Sequence, residues 1–169
     1  MTINVFKSKV LNNKSNKPTD PITTEIIRNS LNSSAEQMKK VLIRSSFSPI
    51  IYEVLDFASA IYDQNYCMLA QSPSLPGFMG TLSFCVEQAV KEVGGESNLF
   101  DGDIIIYNNP YGSGSHSQDV AIVKPVYLEK KLIGYTAIKA HWLDTGGKEP
   151  YSTDTVDVFQ EGTIYPGLK

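Results

Sequence analysis

Only two histidines occur in the 169 residues, and each opens a short pattern of the same kind: His116-Ser117-Gln118-Asp119 and His141-Trp142-Leu143-Asp144. Glycines border both, Gly112 and Gly114 before the first, Gly146 and Gly147 after the second. Neutral imidazoles and carboxylates are the usual protein ligands of divalent first-row metals. Two His and one Asp leave coordination positions open for water or substrate. The same residue types also serve as polar loop residues, with one histidine satisfied in a core, so the patterns nominate either a metal site or an ordinary pair of loops.

The elements that must position these residues are legible from periodicity. Asp20-Pro21 starts a helix, the Asp as cap and the Pro in a first turn that needs no amide. Ile22, Ile26, Ile27, Leu31, Ala35, Met38, Val41 and Leu42 follow at helical spacing as one apolar face. FASAIYD and YCMLAQ, split by Gln64-Asn65, read as a hairpin. Glu53 and Asp56 precede it as a carboxylate pair that acid/base chemistry or a solvated turn would equally explain. Residues 72–81, rich in Pro and Gly, read as a loop in which Gly77, Gly80 and Thr81 let backbone approach a ligand or simply turn. Leu82, Val86, Ala89, Val90 and Val93 form a second helix, ended by Gly94-Gly95. Ile104–Tyr107 reads as a buried strand. The glycines of the loop at 108–115 aim His116 and Asp119 into a common cavity, and the loop matches neither a Walker loop nor a dinucleotide fingerprint. AIVKPVY and KLIGYTAIKA, split by Glu129-Lys130-Lys131, read as paired strands that return His141 towards His116. Helices in the N-terminal half followed by mixed or mainly antiparallel strands make the fold class α+β.

Composition narrows the class. The chain is 41% hydrophobic and 20% charged, ordinary for a globular domain. A net charge of −3 is unsuited to nucleic acid, and no apolar run is long enough to span a membrane. Cys67 and Cys85 lie in unrelated contexts, which points to reduced thiols with a packing role and a cytoplasmic location. Residues 1–19 carry four lysines and no apolar core, so they read as a disordered tail rather than a signal peptide.

Six collinear segments carry a resemblance: DPITTEIIRNSL, RSSFSPIIYEVLDFASAIYD, LPGFMGTL, DGDIIIYNNPYGSGSHSQDVAIVKPVY, AHWLDTGG and DVFQEGTIYPGLK. Over residues 20–169 the chain resembles the N-terminal part of the hydantoinase B/oxoprolinase family. That family includes N-methylhydantoinase subunits, ATP-dependent 5-oxoprolinase and the large subunits of acetone and acetophenone carboxylases. The resemblance implies that residues 20–169 are part of a larger domain, truncated at its C-terminal end.

By resemblance to the carboxylase branch, the metal ligands are His116, Asp119 and His141, for a divalent Zn, Mn or Fe. Asp144, orienting a ligand or touching substrate, and Glu161, in DVFQEG beside Asp157 and Gln160, are the implied catalytic residues. Trp142, Gly146 and Gly147 are the implied substrate wall. The chain departs from the commonest family pattern in having Asn109 where many members have Asp and Trp142 where many have a second His. The implied activity is ATP-dependent opening of a cyclic amide, 5-oxoproline or a hydantoin, in a hetero-oligomer whose hydantoinase A-like subunit uses the ATP. The alternatives are a carboxylase acting on a ketone and a non-catalytic remnant that keeps only binding or assembly. In either enzyme reading the isolated 169-residue chain is expected to be inactive.

Overall fold

A computed structural model of the chain describes residues 20–151 and 153–169. The tail expected at 1–19 lies outside the described residues. Helix α1 spans Pro21–Ser45 and starts where the sequence indicates: the Asp20 carboxylate accepts from the amides of Ile22 and Thr23 at 3.2 and 3.1 Å. Its apolar stripe is formed but mostly uncovered. Ala35 alone is fully buried, whereas Ile22 and Val41 are 72% and 64% exposed. The cause is placement, because α1 lies against β1, β2 and the short helix α2 (Pro49–Tyr52) and leaves the rest of its face free.

Strands β1 (Phe57–Asp63) and β2 (Met68–Gln71) form the expected hairpin. Helix α3 runs Pro76–Glu92, so the loop read at 72–81 is shorter than its composition suggests. Proline is tolerated in a first helical turn, and buried Phe78 extends the apolar stripe of Leu82 and Val86 back into the Pro/Gly segment. A Cβ on Gly77 or Gly80 would meet nothing within 4 Å, so neither glycine marks a close approach. Gly94 and Gly95, with φ of 95° and 84°, end α3 by turning their amides back onto Lys91 and Val90.

β3 (Ile105–Tyr107), the short helix α4 (Pro110–Ser113), β4 (Asp119–Leu128), β5 (Lys131–His141) and β6 (Pro166–Leu168) follow. Among the described residues six strands make one antiparallel sheet in the order β2-β1-β5-β4-β3-β6, and the fold is α+β. β4 and β5 are joined by Glu129 and Lys130, both left-handed at φ 48° and 68°; positive φ at both positions matches the twist of a two-residue hairpin.

The main core lies between the sheet and α3, whose Leu82, Val86 and Val90 are at most 1% exposed. Burial of each stabilises the fold by about 1.5–3 kcal/mol. α1 and α2 cover a smaller cluster on the other face around Ile51, Phe57 and Ala140. Cys85 belongs to the main core, Cys67 is exposed, and both thiols are free. Among the described residues no helix is long and apolar enough to cross a membrane.

Candidate metal centre

The β4–β5 register places Asp119 directly opposite His141, at the end of the hairpin away from its turn. Side chains alternate along a strand, so Tyr135, Ala137, Lys139 and His141 share the face that looks at α3. His141 and Asp119 are thus built into the edge of the core, 1% and 0% exposed. His141 Nδ1 lies 2.9 Å from Asp119 Oδ1.

His116 arrives from the other direction. The three-residue spacing closes a turn in which the Asp119 amide donates to the His116 carbonyl and the His116 amide to Asp119 Oδ2. That turn brings His116 Nδ1 to 3.3 Å from Asp119 Oδ2, while the imidazole stays 57% exposed. The two imidazoles meet edge to face at 5.9 Å, and one ligand atom from each of the three residues lies within 4.8 Å of the others. The loop before His116 is fixed by Gly114, left-handed at φ +71° as the cap of α4, and by Lys139. The fully buried Lys139 ammonium donates to the Thr81 hydroxyl at 3.2 Å and to the Ser113 carbonyl at 3.3 Å. Buried Asn108 ties the far side, its amide donating to the carbonyls of Ser117 and Thr163.

Electrostatics follow from this packing. Burial alone would raise the Asp119 carboxyl, but its hydrogen bonds with His116 and His141 outweigh that and hold it well below the usual carboxylate range. The hydrogen bond to Asp119 raises His116, against a burial effect of opposite sign. His141 Nε2 is buried and, among the described residues, has no hydrogen-bond partner. A buried ring nitrogen left unpaired, beside a second imidazole and an ionised carboxylate, is the donor set that a borderline divalent cation takes. The residues fit a metal on that ground.

The other residues singled out from sequence are spread more widely. Glu161 lines both cavities that flank His116, of about 320 and 230 Å³. Asp144 is exposed, its carboxylate accepting the Gly146 amide at 3.1 Å, and it lines neither cavity. Trp142 has the opposite phase to His141 and packs on the cluster of Ile51, Phe57 and Ala140. At Gly147 an added Cβ would lie 2.7 Å from the Glu161 carbonyl carbon, so this glycine lets two loops touch; Gly146 is left-handed at φ +76°. Asp157 caps the helical turn Val158–Gln160, and Asn109 accepts the Tyr111 amide as cap of α4, a task Asp would perform equally.

Sequence reasoning missed Lys139 and Tyr151. Lys139 was findable, because it falls on the inward phase of β5 with His141. Tyr151, whose ring stacks on His141, sits in an irregular segment with no period to betray it.

The chain belongs to the Hydantoinase B/oxoprolinase family, whose profile matches residues 20–169. It is 34% identical over 166 residues to a putative D-/L-hydantoinase subunit of Pseudomonas sp. (strain NS671), covering 90% of this chain and 27% of that one. The crystal structure of the ATP-dependent caprolactamase from Pseudomonas jessenii superimposes with a TM-score of 0.77 at 29% identity, covering 90% of this chain and 26% of that chain. Acetone carboxylase, in its nucleotide-free structure, shares the fold with a TM-score of 0.80 at 20% identity, over 89% of this chain and 20% of that one. The chain therefore spans about a quarter of the hydantoinase subunit it matches.

Proposed function

We propose that His116, Asp119 and His141 hold one divalent ion, Zn, Mn or Fe, and that the chain contributes this centre to an ATP-dependent enzyme that opens a cyclic amide. The observation that carries the reading is the convergence of two imidazoles and one carboxylate, with a buried nitrogen left unpaired, in a member of this family. When bound, such an ion polarises a carbonyl oxygen or acidifies a water. The chain's own residues supply the rest. Asp119 and His141 are the fixed side of the centre, because the sheet register sets them opposite each other. His116 is the open side, facing the two cavities where a small cyclic substrate fits. Glu161, on both cavities, is placed to accept a proton or a substrate N–H. The relatives named as a hydantoinase subunit and an ATP-dependent caprolactamase support a cyclic amide as substrate and a hetero-oligomer; in this reading a hydantoinase A-like partner uses the ATP.

Reconstitution tests this. With the assembled complex, ATP and a hydantoin or lactam, wild type should open the ring and Asp119→Asn should lose at least a hundredfold in rate. The 169-residue chain by itself should give no ATP-dependent turnover. Robust turnover by the chain alone, or full activity in Asp119→Asn, would contradict the reading.

A further inference from the structure

The ring of Tyr151 lies parallel to that of His141, within 3° and with centroids 4.1 Å apart. The Tyr151 hydroxyl donates to Asp56 Oδ2 at 3.1 Å, across 95 residues of sequence. The Asp56 main-chain carbonyl in turn accepts the His141 amide at 3.1 Å. Asp56 therefore grips His141 twice, directly at the backbone and through Tyr151 at the ring, and is itself anchored by its amide on the Ile50 carbonyl. Tyr151 makes this contact from a left-handed backbone, φ +55°. Such a conformation is unfavourable for an aromatic residue and persists only where the surroundings over-determine it.

We propose that Tyr151 and Asp56 form a brace that fixes the His141 ring, making Tyr151 a positioning residue for the centre. An imidazole tethered only through Nδ1 to Asp119 can still rock about its Cβ–Cγ bond, which carries Nε2 out of line. A flat phenol against one face blocks that rotation and keeps water from that face. The groups that orient a ligand histidine commonly hydrogen-bond its second nitrogen; here Asp119 holds Nδ1, and stacking, secured by the hydrogen bond at the far end of the phenol, adds control of the ring plane. Tyr151 is also a wall of the 230 Å³ cavity shared by His116, Gln118, Thr153 and Glu161, so a molecule filling that cavity would press on the ring that holds His141. The proposal rests on the metal reading for its consequence, and on the stack alone for its geometry.

The full chain is titrated with Co²⁺ alone and followed by its visible d–d absorption. Tyr151→Leu should weaken Co²⁺ binding about tenfold or more and change the band shape. Tyr151→Phe, which keeps the ring and loses the hydroxyl, should weaken it severalfold. Asp56→Asn, which keeps an acceptor for the phenol, should stay near wild type. Wild-type affinity and spectrum in Tyr151→Leu would overturn the brace; should that variant fail to fold, wild-type affinity in Tyr151→Phe would do so. A metal-independent arm separates the two claims. In the metal-free chain the Tyr151 ring current should move the His141 Cε1–H resonance upfield, in wild type and in Tyr151→Phe, and Tyr151→Leu should lose that shift. If wild type takes up no Co²⁺, the metal reading fails and the resonance alone decides the brace: loss of the shift sustains it, an unmoved resonance ends it.

Discussion

Asp119 and His141 are held by the sheet, whereas His116 and Glu161 are held by loops, and the two halves of one site should answer mutation differently. The strand half is fully buried and its geometry follows from hairpin register, so it cannot be disturbed without disturbing the core. The loop half is solvent-facing and owes its position to Gly114, Lys139 and Asn108 rather than to a ladder of backbone hydrogen bonds. A centre assembled this way pairs a rigid wall with an accessible face. Stability and metal affinity should therefore separate: the strand half controls both, the loop half chiefly the second.

The largest expected effect is on the strand side. His141→Ala leaves the buried Asp119 carboxylate with a single imidazole partner and removes the stacking surface of Tyr151, so it should cost about 3 kcal/mol of unfolding free energy and abolish metal binding. Denaturant melts check this, and a loss below about 0.5 kcal/mol, the range of ordinary surface substitutions, would erase the distinction between the halves.

Gly114→Val comes next. It forces a β-branched residue into a left-handed backbone and sets its Cβ 3.2 Å from Thr81 Cγ2, a strain of about 1–3 kcal/mol that the loop relieves by shifting His116. Metal affinity should fall clearly, while Lys131→Ala, at the exposed start of β5, should leave it at the wild-type value. Equal metal occupancy in the two variants would remove Gly114 as the device that aims His116.

His116→Ala should lose metal affinity yet change stability by no more than about 0.5 kcal/mol, because the ring is largely exposed. A finer contrast lies in pH. In the metal-free chain the hydrogen bond to Asp119 raises His116 above its ordinary value near 6.5, so its stabilising contribution is full below that value and fades as pH rises through the elevated folded value. Asp119 is lowered, so its contribution is present above the ordinary carboxylate value and is lost only as pH falls towards its depressed folded value. Metal requires a neutral imidazole, so in saturating metal the decline above the ordinary value should vanish and stability should instead rise with pH up to that value, where the unfolded imidazole still carries the proton that the metal-bound one lacks. Thermal melts against pH with and without metal read the sign directly; parallel curves would place the ion elsewhere.

The same division explains what the sequence made legible. Features set by local rules were readable: the Asp20-Pro21 cap, the stripe of α3, the Gly94-Gly95 stop, and the hairpin that returns His141 towards His116. Period and turn chemistry act over a few residues, and register does the rest. The apolar face read for α1 shows the limit, because an apolar stripe specifies a face and not whether anything covers it. So does Trp142: its place follows from strand phase, one residue out of step with His141. Tyr151 on His141 and Asp56 was beyond reach, since a contact spanning 95 residues from an irregular segment leaves no local mark.

In the proposed centre three side chains from a sheet and a loop share one ion. Crystals of the chain grown with Mn²⁺ or Zn²⁺ and measured at the metal's absorption edge test it most directly. One anomalous peak should lie about 2.0–2.2 Å from a ligand atom of each of His116, Asp119 and His141. A peak elsewhere, or none between these residues at saturating metal, would contradict it.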